Sequence, residues 1–166
     1  CCRNDGIANI PQETGATYLL HIPDPAQAAC NSSPRYTNFP PMYLCVNAPL
    51  VLDHSATDPD GDQLVYSLCD PYDGADAQCP NPVPGVTNGC PTEPPPPPYS
   101  PVPYIPPYSS ANFLNNPSTP NNLRIDPQTG VITGTPNSVG MFVVSVCVRE
   151  YRNGVLLSEM TRDFQF

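Results

Sequence analysis

The residues of this sequence best suited to bind a ligand are aspartates that alternate within one short loop. Asp58, Asp60 and Asp62 occur in "TDPDGD", directly before an apolar run. Alternate carboxylates in a loop can direct their oxygens to one point, and a calcium ion takes about six to eight oxygen ligands. The spacing is therefore compatible with a calcium site. Further carboxylates that folding could bring to this loop are Asp53, Asp24 and Asp163.

Two other interpretations of the same aspartates remain open. A Pro-Asp-Gly segment forms tight turns in which Asp side chains accept hydrogen bonds from backbone N–H groups. The segment is not an EF-hand loop, because Gly61 precedes the position that the invariant glycine needs and Cys69 stands in place of the bidentate glutamate. A catalytic carboxylate pair is the third interpretation. A solvated loop, however, would not separate the two pKa values as acid–base catalysis requires.

The eight cysteines indicate a disulfide framework and hence an oxidising, extracellular compartment. Their spacings are irregular, and no cysteine or histidine pair has the spacing of zinc ligands. The strands at 63–69 and 141–151 should be neighbours in one sheet of a Greek-key sandwich. The pairs expected from these considerations are Cys69–Cys147, Cys79–Cys90, and Cys1 and Cys2 with Cys30 and Cys45 in either order, a vicinal Cys1–Cys2 bond being the alternative.

Composition excludes several functional classes. The net charge is -9, and all six basic residues are arginines. Nucleic acids and anionic membrane surfaces are bound through basic faces, so neither partner is expected. Without lysine there is no Schiff-base or phosphate-binding lysine. The two histidines, His21 and His54, do not complete a catalytic constellation with serine or cysteine that the spacing would reveal. We therefore expect a protein that is not an enzyme.

Short β-branched runs bounded by turn residues predict an all-β fold, and 26 prolines disfavour long helices. The last two runs are joined by Asn153-Gly154, the preferred type I′ hairpin turn. Along the first of them, apolar residues from Phe142 to Val148 alternate onto one face, as in an antiparallel sandwich. The predicted strands are 17–22, 42–46, 50–54, 63–69, the short runs "LRID" and "VITG", 141–151 and 155–166.

A long insertion, about residues 70–120, separates the middle strands from the last ones. Its proline-rich part, 91–110, cannot form a central strand, because proline lacks the ladder donor, but it can form polyproline II. In one interpretation the insertion is a structured loop that lies across the sandwich, with Tyr99, Tyr104 and Tyr108 packed onto it. In the other, these tyrosines form a binding surface that stacks on sugars or on a protein partner.

Two stretches, "TDPDGDQLVYSL" and "LRIDPQTGVITGTPNSVGMFVVSVCV", carry a resemblance to known modules. The second resembles immunoglobulin-like and dystroglycan-type cadherin-like modules, in which a "D-P-x-T-G-x-I-x-G-T-P" turn precedes "G-x-F/Y-x-V-x-V". Together with "CCRN", "YLCVN" and "RDFQF", the chain resembles secreted surface proteins of Bacteroidota that carry gliding-motility-associated or type IX secretion C-terminal domains. The residues that match the turn pattern are Asp126, Pro127, Thr129, Gly130, Ile132, Gly134, Thr135, Pro136, Gly140, Phe142, Val144 and Val146.

The resemblance implies an extracellular, multi-module, non-enzymatic protein of which this chain is one piece. It implies a Greek-key sandwich of the immunoglobulin-like or cadherin-like class over 36–166, preceded by a linker or the tail of another module over 1–35. The expected function is structural or adhesive, with stiffness supplied by disulfides and calcium. The partners would be neighbouring modules, like subunits or surface glycans. The alternatives are a filament subunit that assembles by strand exchange, and a carbohydrate- or protein-binding module that uses the insertion.

Overall fold

A computed structural model of the chain describes residues 3–75, 97–114 and 122–166. Within these ranges it contains ten strands and no helix, so the predicted all-β class is confirmed. All strand pairings are antiparallel. In chain order the strands are β1 (Ala16–Thr17), β2 (Arg35–Tyr36), β3 (Leu50–Asp53), β4 (Ala56–Thr57), β5 (Gln63–Leu68), β6 (Tyr72–Ala75), β7 (Arg124–Ile125), β8 (Val131–Gly134), β9 (Val143–Arg152) and β10 (Val155–Gln165).

The strands form four small sheets around one main core. β9 lies between β5 and β10 in the first three-stranded sheet, and β8 lies between β3 and β7 in the second. The pairs β1–β6 and β2–β4 form the two remaining sheets. Val144, Val146 and Val148 of β9 pack in the main core with Ile132 of β8 and Tyr66 of β5, so this core includes residues of both three-stranded sheets. The Greek-key topology of immunoglobulin-like or cadherin-like domains stays a prediction.

The hairpin of β9 and β10 has the turn that the sequence predicted. Asn153 and Gly154 have φ angles of 52° and 80°, as a type I′ turn requires at its two central positions. The face of β9 that carries Val144 is fully buried as far as Glu150, as the alternation indicated for its apolar residues. The opposite face is also buried at Val143 and Ser145, which the alternation did not indicate.

The second face of β9 is covered by the N-terminal segment and the insertion. Ile7 and Ile10 form a small buried cluster with Val102 and Val143. Asn9, also fully buried, accepts a hydrogen bond from the Val143 N–H (3.0 Å) and donates one to its carbonyl oxygen (2.8 Å). The predicted domain boundary near residue 35 stays a prediction, but the start of the chain packs against the same central strand as the core.

Two of the predicted strands are wrong. At 17–22 the structure has only the last residue of β1 and an isolated bridge between Leu20 and Met160, and 42–46 contains no strand. Both segments lie next to prolines, which lack the donor that a β-ladder needs, and alternation alone does not supply a neighbouring strand. Several apolar side chains of these segments are exposed, among them Tyr18, Ile22, Met42 and Tyr43.

Residues 97–114 of the insertion pack against the sheets and contribute to the core. The Val102 N–H donates to the Pro71 carbonyl at 2.9 Å, and Val102 is buried. Phe113 and Leu114 are buried in the main core. These contacts support the interpretation of this segment as a structured loop.

The turn from β7 to β8 packs beside the strands that flank the loop Asp58–Asp62, which we call the acidic loop. Gly130 has a φ of 71°, in the left-handed region that glycine adopts without steric cost. A Cβ atom at this position would lie 3.0 Å from the Tyr66 ring, so close packing also requires glycine. The Tyr66 hydroxyl in turn accepts a hydrogen bond from the Ala56 N–H at 2.8 Å, which holds β4 in place immediately before the acidic loop.

Candidate metal site and disulfide framework

The acidic loop connects β4 to β5 and is a tight turn organised by Asp58. One carboxylate oxygen of Asp58, Oδ1, accepts hydrogen bonds from the backbone N–H groups of Asp60 (2.9 Å) and Asp62 (3.0 Å). Gly61, with a φ of 82°, donates its N–H to the Asp58 carbonyl at 3.3 Å. Asp58 therefore stabilises a tight turn, as one of the interpretations predicted, and it uses only its Oδ1 oxygen to do so.

Asp62 forms a bidentate ion pair with Arg152, the last residue of β9. Arg152 Nε lies 2.7 Å from Asp62 Oδ1 and Nη2 lies 2.6 Å from Oδ2. The same guanidinium donates to the Cys30 carbonyl and to Asn31 Oδ1, both at 3.0 Å. Its hydrogen bonds hold the pKa of Asp62 below the ordinary value for aspartate. Arg152 thus joins the acidic loop to the end of β9 and to the segment around Cys30.

Asp60 is directed to a different neighbour. Its Oδ2 accepts a hydrogen bond from the Ser32 N–H and lies 3.7 Å from Arg152 Nη2. Asp60 side-chain exposure is 31%, against 4% for Asp62. Although the three loop aspartates alternate in sequence, only Asp58 and Asp62 direct carboxylate oxygens to a common point.

The other aspartates considered from the sequence stabilise local structure elsewhere. Hydrogen bonds from Ser55 hold the pKa of the exposed Asp53 below its ordinary value. Asp24 accepts a hydrogen bond at 2.7 Å from a backbone N–H two residues further along the chain. Asp163 forms a buried ion pair with Arg3 at 2.6 Å. Within the described ranges, none of these aspartates belongs to the acidic cluster of the loop.

Glu150 of β9, which the sequence did not identify as a site residue, completes that cluster. Carboxylate oxygens of Asp58, Asp62 and Glu150 lie within 4.8 Å of one another. The Glu150 side chain is fully buried, and its Oε2 accepts a hydrogen bond from the Ser158 hydroxyl at 2.6 Å. Burial raises the pKa of Glu150, against a smaller lowering by the Ser158 hydrogen bond. Three acidic side chains thus converge beside one arginine.

The three tyrosines of the insertion pack onto separate partners. Tyr99 contacts Tyr72 with ring centroids 6.0 Å apart. Tyr104 and Tyr108 each lie 5.9 Å from a phenylalanine ring of the core, Phe113 and Phe142 respectively. All three rings are partly buried, and burial raises the pKa of Tyr104. Their packing limits the surface that each ring offers to a ligand.

The predicted disulfide between Cys69 and Cys147 is present in the structure. It joins the residue after β5 to the middle of β9, so it links two neighbouring strands of one sheet. Elsewhere in the described residues, Cys30 and Cys45 are exposed and form no disulfide. Their expected partners Cys1 and Cys2, like the Cys79–Cys90 pair, lie outside the described residues. Those pairings stay predictions.

The remaining buried ionisable group of note is His54, which follows β3. Its side chain is fully buried between the rings of Tyr36 and Phe164, with centroids 4.8 and 5.0 Å away. Neither ring nitrogen has a hydrogen-bond partner among the residues that the structure describes. Burial, with a smaller contribution from Arg162, lowers the pKa of His54 to about 4. The neutral imidazole of His54 therefore contributes to packing, and its burial disfavours the protonated form.

Comparisons with known proteins found no matching family model, no matching curated protein and no matching solved structure. The resemblance to cadherin-like modules therefore rests on the sequence patterns of "TDPDGDQLVYSL" and of the stretch from Asp126 to Val146. In the described part of the chain, no helix has the length and apolar character needed to cross a membrane.

Proposed function

We propose that this chain is a non-enzymatic structural or adhesive module of a bacterial cell-surface protein, located outside the cell. The observation that carries the proposal is the disulfide between Cys69 and Cys147, which joins two strands at the centre of the fold. Disulfides form and persist in oxidising compartments and are rare in the cytosol. A covalent link at this position supports a module that resists unfolding outside the cell.

The use of the charged side chains supports the same proposal. Arg3 pairs with Asp163 and so ties the N-terminal segment to β10, and Arg152 ties the acidic loop to β9. Several carboxylates accept hydrogen bonds from backbone N–H groups of their own turns. Charged groups that are engaged in such links favour a structural function over acid–base catalysis.

The exposed apolar residues favour contact with a neighbouring module or a like subunit. Phe39, Met42 and Tyr43 lie in one segment without strands and are 90%, 75% and 84% exposed. Exposed apolar side chains this close in sequence are available to pack against a partner. A filament assembled by strand exchange is the alternative arrangement of like subunits. It requires a segment that can be released from its own domain, whereas Ile7 and Ile10 are buried.

The test is made on the cells that produce the protein, with antibodies against the folded module. We expect intact cells to be labelled. We also expect non-reducing chymotryptic digestion of the native protein to release linked peptides from 67–72 and 143–151, which contain Cys69 and Cys147 respectively. Cleavage after aromatic residues isolates each of these cysteines from the others. Labelling only after permeabilisation, with both thiols reduced, would contradict the proposal.

A further inference from the structure

The acidic cluster contains two buried oxygens whose hydrogen-bonding capacity is not used. Glu150 Oε1 and Asp58 Oδ2 have no hydrogen-bond partner among the described residues, although Glu150 Oε2 and Asp58 Oδ1 are both satisfied. Asn31 and Asp62 are close enough to affect the pKa of the Glu150 carboxyl, but neither forms a hydrogen bond of normal geometry with Oε1. A buried carboxylate oxygen without a partner loses hydration that nothing replaces. Two such oxygens in one cluster point to a shared ligand.

The charges of the cluster indicate what kind of ligand this is. Asp58, Asp62 and Glu150 carry three potential negative charges, and Arg152 supplies one positive charge. Arg152 uses its Nε and Nη2 on the two oxygens of Asp62 and its other contacts on the segment around Cys30. The carboxylates of Asp58 and Glu150 therefore have no cationic side chain of their own. A divalent cation would balance both charges.

The spacing of the oxygens fits the calcium ion. Calcium takes oxygen ligands at about 2.3–2.6 Å, so two oxygens on one ion lie at most about 5 Å apart. Calcium also accepts an irregular set of ligands, whereas magnesium demands near-octahedral geometry and retains several of its waters. The separations in the cluster reach no further than 4.8 Å and so lie within the calcium limit.

We propose that Asp58, Asp62 and Glu150 form a calcium site, with Asp58 Oδ2 and Glu150 Oε1 as its two principal protein ligands. Asp62 contributes an oxygen while it remains paired with Arg152, and water completes the coordination. The ligand set differs from the one that the sequence suggested, because Glu150 replaces Asp53 and Asp60. The proposal depends on these contacts and not on the proposed role at a cell surface. Bound calcium would join the acidic loop to β9.

The site is tested with the oxidised protein and calcium chloride as the probe, by titration calorimetry and by thermal unfolding in calcium or in chelator. We expect binding of a single calcium ion and a melting temperature several degrees higher in calcium. Asp58→Asn retains the Oδ1 acceptor of the turn and removes only the charge, and Glu150→Gln retains the bond from Ser158. Each should weaken calcium binding by about tenfold or more, because ligand charge tunes calcium affinity. Circular dichroism establishes that both variants fold.

Asp53→Asn is the matched control, because Asp53 is a neighbouring carboxylate outside the cluster. It should leave the affinity and the calcium-dependent shift unchanged. The proposal is overturned if wild-type protein shows neither binding heat nor a shift, or if Asp53→Asn weakens binding as much as Glu150→Gln. A third outcome is a wild-type protein that shows no response to calcium and a Glu150→Gln variant that is more stable than wild type in chelator. This outcome would overturn the calcium site and indicate a proton shared within the cluster.

Discussion

At the scale of single residues, several ionisable side chains are buried in this protein, and they differ in the partners that compensate their burial. Arg3 and Asp163 neutralise each other, with side-chain exposures of 5% and 10%. His54 is fully buried, with both ring nitrogens unpartnered among the described residues, and Glu150 is satisfied through only one of its oxygens. Burial without a partner raises the free energy of the charged form. These residues should therefore determine how stability depends on pH and on ions.

His54 should make the domain less stable as the pH falls through the weakly acidic range. The pKa of this histidine is lowered from 6.5 to about 4, so the unfolded chain binds a proton that the folded chain excludes. The free energy of unfolding then decreases as the pH falls from 6.5 and levels off below about 4. Linkage gives about 3 kcal/mol as an upper limit, which solvent screening reduces to about 2 kcal/mol. Urea denaturation between these pH values measures the loss.

The His54 contribution is isolated by comparison with variants, because carboxylates titrate in the same range. His54→Phe keeps a ring between Tyr36 and Phe164 and should remove this part of the pH dependence. It should be at least as stable as wild type at neutral pH, since two unsatisfied nitrogens are lost. His21→Gln replaces the exposed histidine and should retain the wild-type pH profile. Identical slopes for His54→Phe and wild type would show that His54 does not resist protonation.

The sequence contains a signal for Glu150 in the alternation of β9. Glu150 has the same parity as Phe142, Val144, Val146 and Val148, so strand alternation places it on the face that the core buries. A carboxylate on such a face needs a partner or a ligand. A pattern of alternating aspartates identifies only residues that lie close together in sequence. The residue that completes the cluster comes from a distant strand.

At the scale of elements, the disulfide between β5 and β9 should be a major source of stability. It closes a loop with a sequence separation of 78 residues. In the chain-entropy model, a cross-link over such a loop stabilises the folded state by roughly 4 kcal/mol. We expect Cys69→Ala/Cys147→Ala to lower the free energy of unfolding by about this amount in guanidinium denaturation, provided that the remaining cysteines are kept in one redox state.

Cys30→Ala/Cys45→Ala provides the matched control, because it also removes two sulfurs but at exposed positions. If these two thiols form no bond in solution, the control should change stability by less than about 1 kcal/mol. Equal losses in the two double variants would contradict the special role of the β5–β9 link. A large loss in the control alone would point to pairing of Cys30 and Cys45 with other cysteines.

Local signals explain which elements the sequence predicted. The hairpin of β9 and β10 depends on Asn153-Gly154 and on alternation within two adjacent runs, so its determinants lie within one short segment. Of the runs at 17–22 and 42–46, which have similar composition, only Thr17 lies in a strand, and Leu20 forms an isolated bridge to β10. Strand formation needs a partner as well as a pattern. Which strand becomes the partner depends on contacts between residues far apart in sequence, and a local sequence pattern does not contain that information.

At the scale of the whole molecule, the N-terminal segment was the hardest part to place from the sequence. Ile7 and Ile10 have no periodic pattern around them, and their partners Val102 and Val143 are distant in the chain. The insertion likewise supplies Phe113 and Leu114 to the core from outside any strand. Both segments lie on or beside β9, whose burial on two faces they help to complete. Antiparallel sheets commonly leave one face solvated, so the burial of β9 on both faces depends on these covering segments.

The ion pair between Arg3 and Asp163 offers a test of whether the N-terminal segment belongs to the folded domain. Asp163→Asn leaves the buried guanidinium of Arg3 without a charged partner, although that guanidinium still donates to the carbonyl of Tyr72 at 3.1 Å. Removing one member of a buried pair typically costs about 3–5 kcal/mol. We therefore expect Asp163→Asn to lower the free energy of unfolding by several kilocalories per mole in urea denaturation.

Glu159→Gln is the control for this prediction, because Glu159 lies on the same strand and pairs with Arg149 at the surface, where the side chains are 31% and 44% exposed. An exposed pair contributes less than about 1 kcal/mol, so the control should remain close to wild type. If Asp163→Asn costs no more than Glu159→Gln, the N-terminal segment is only loosely held. That result would favour a linker over 1–35 and would make release of this segment to a neighbouring subunit energetically accessible. A large difference would instead extend the folded unit to include Arg3.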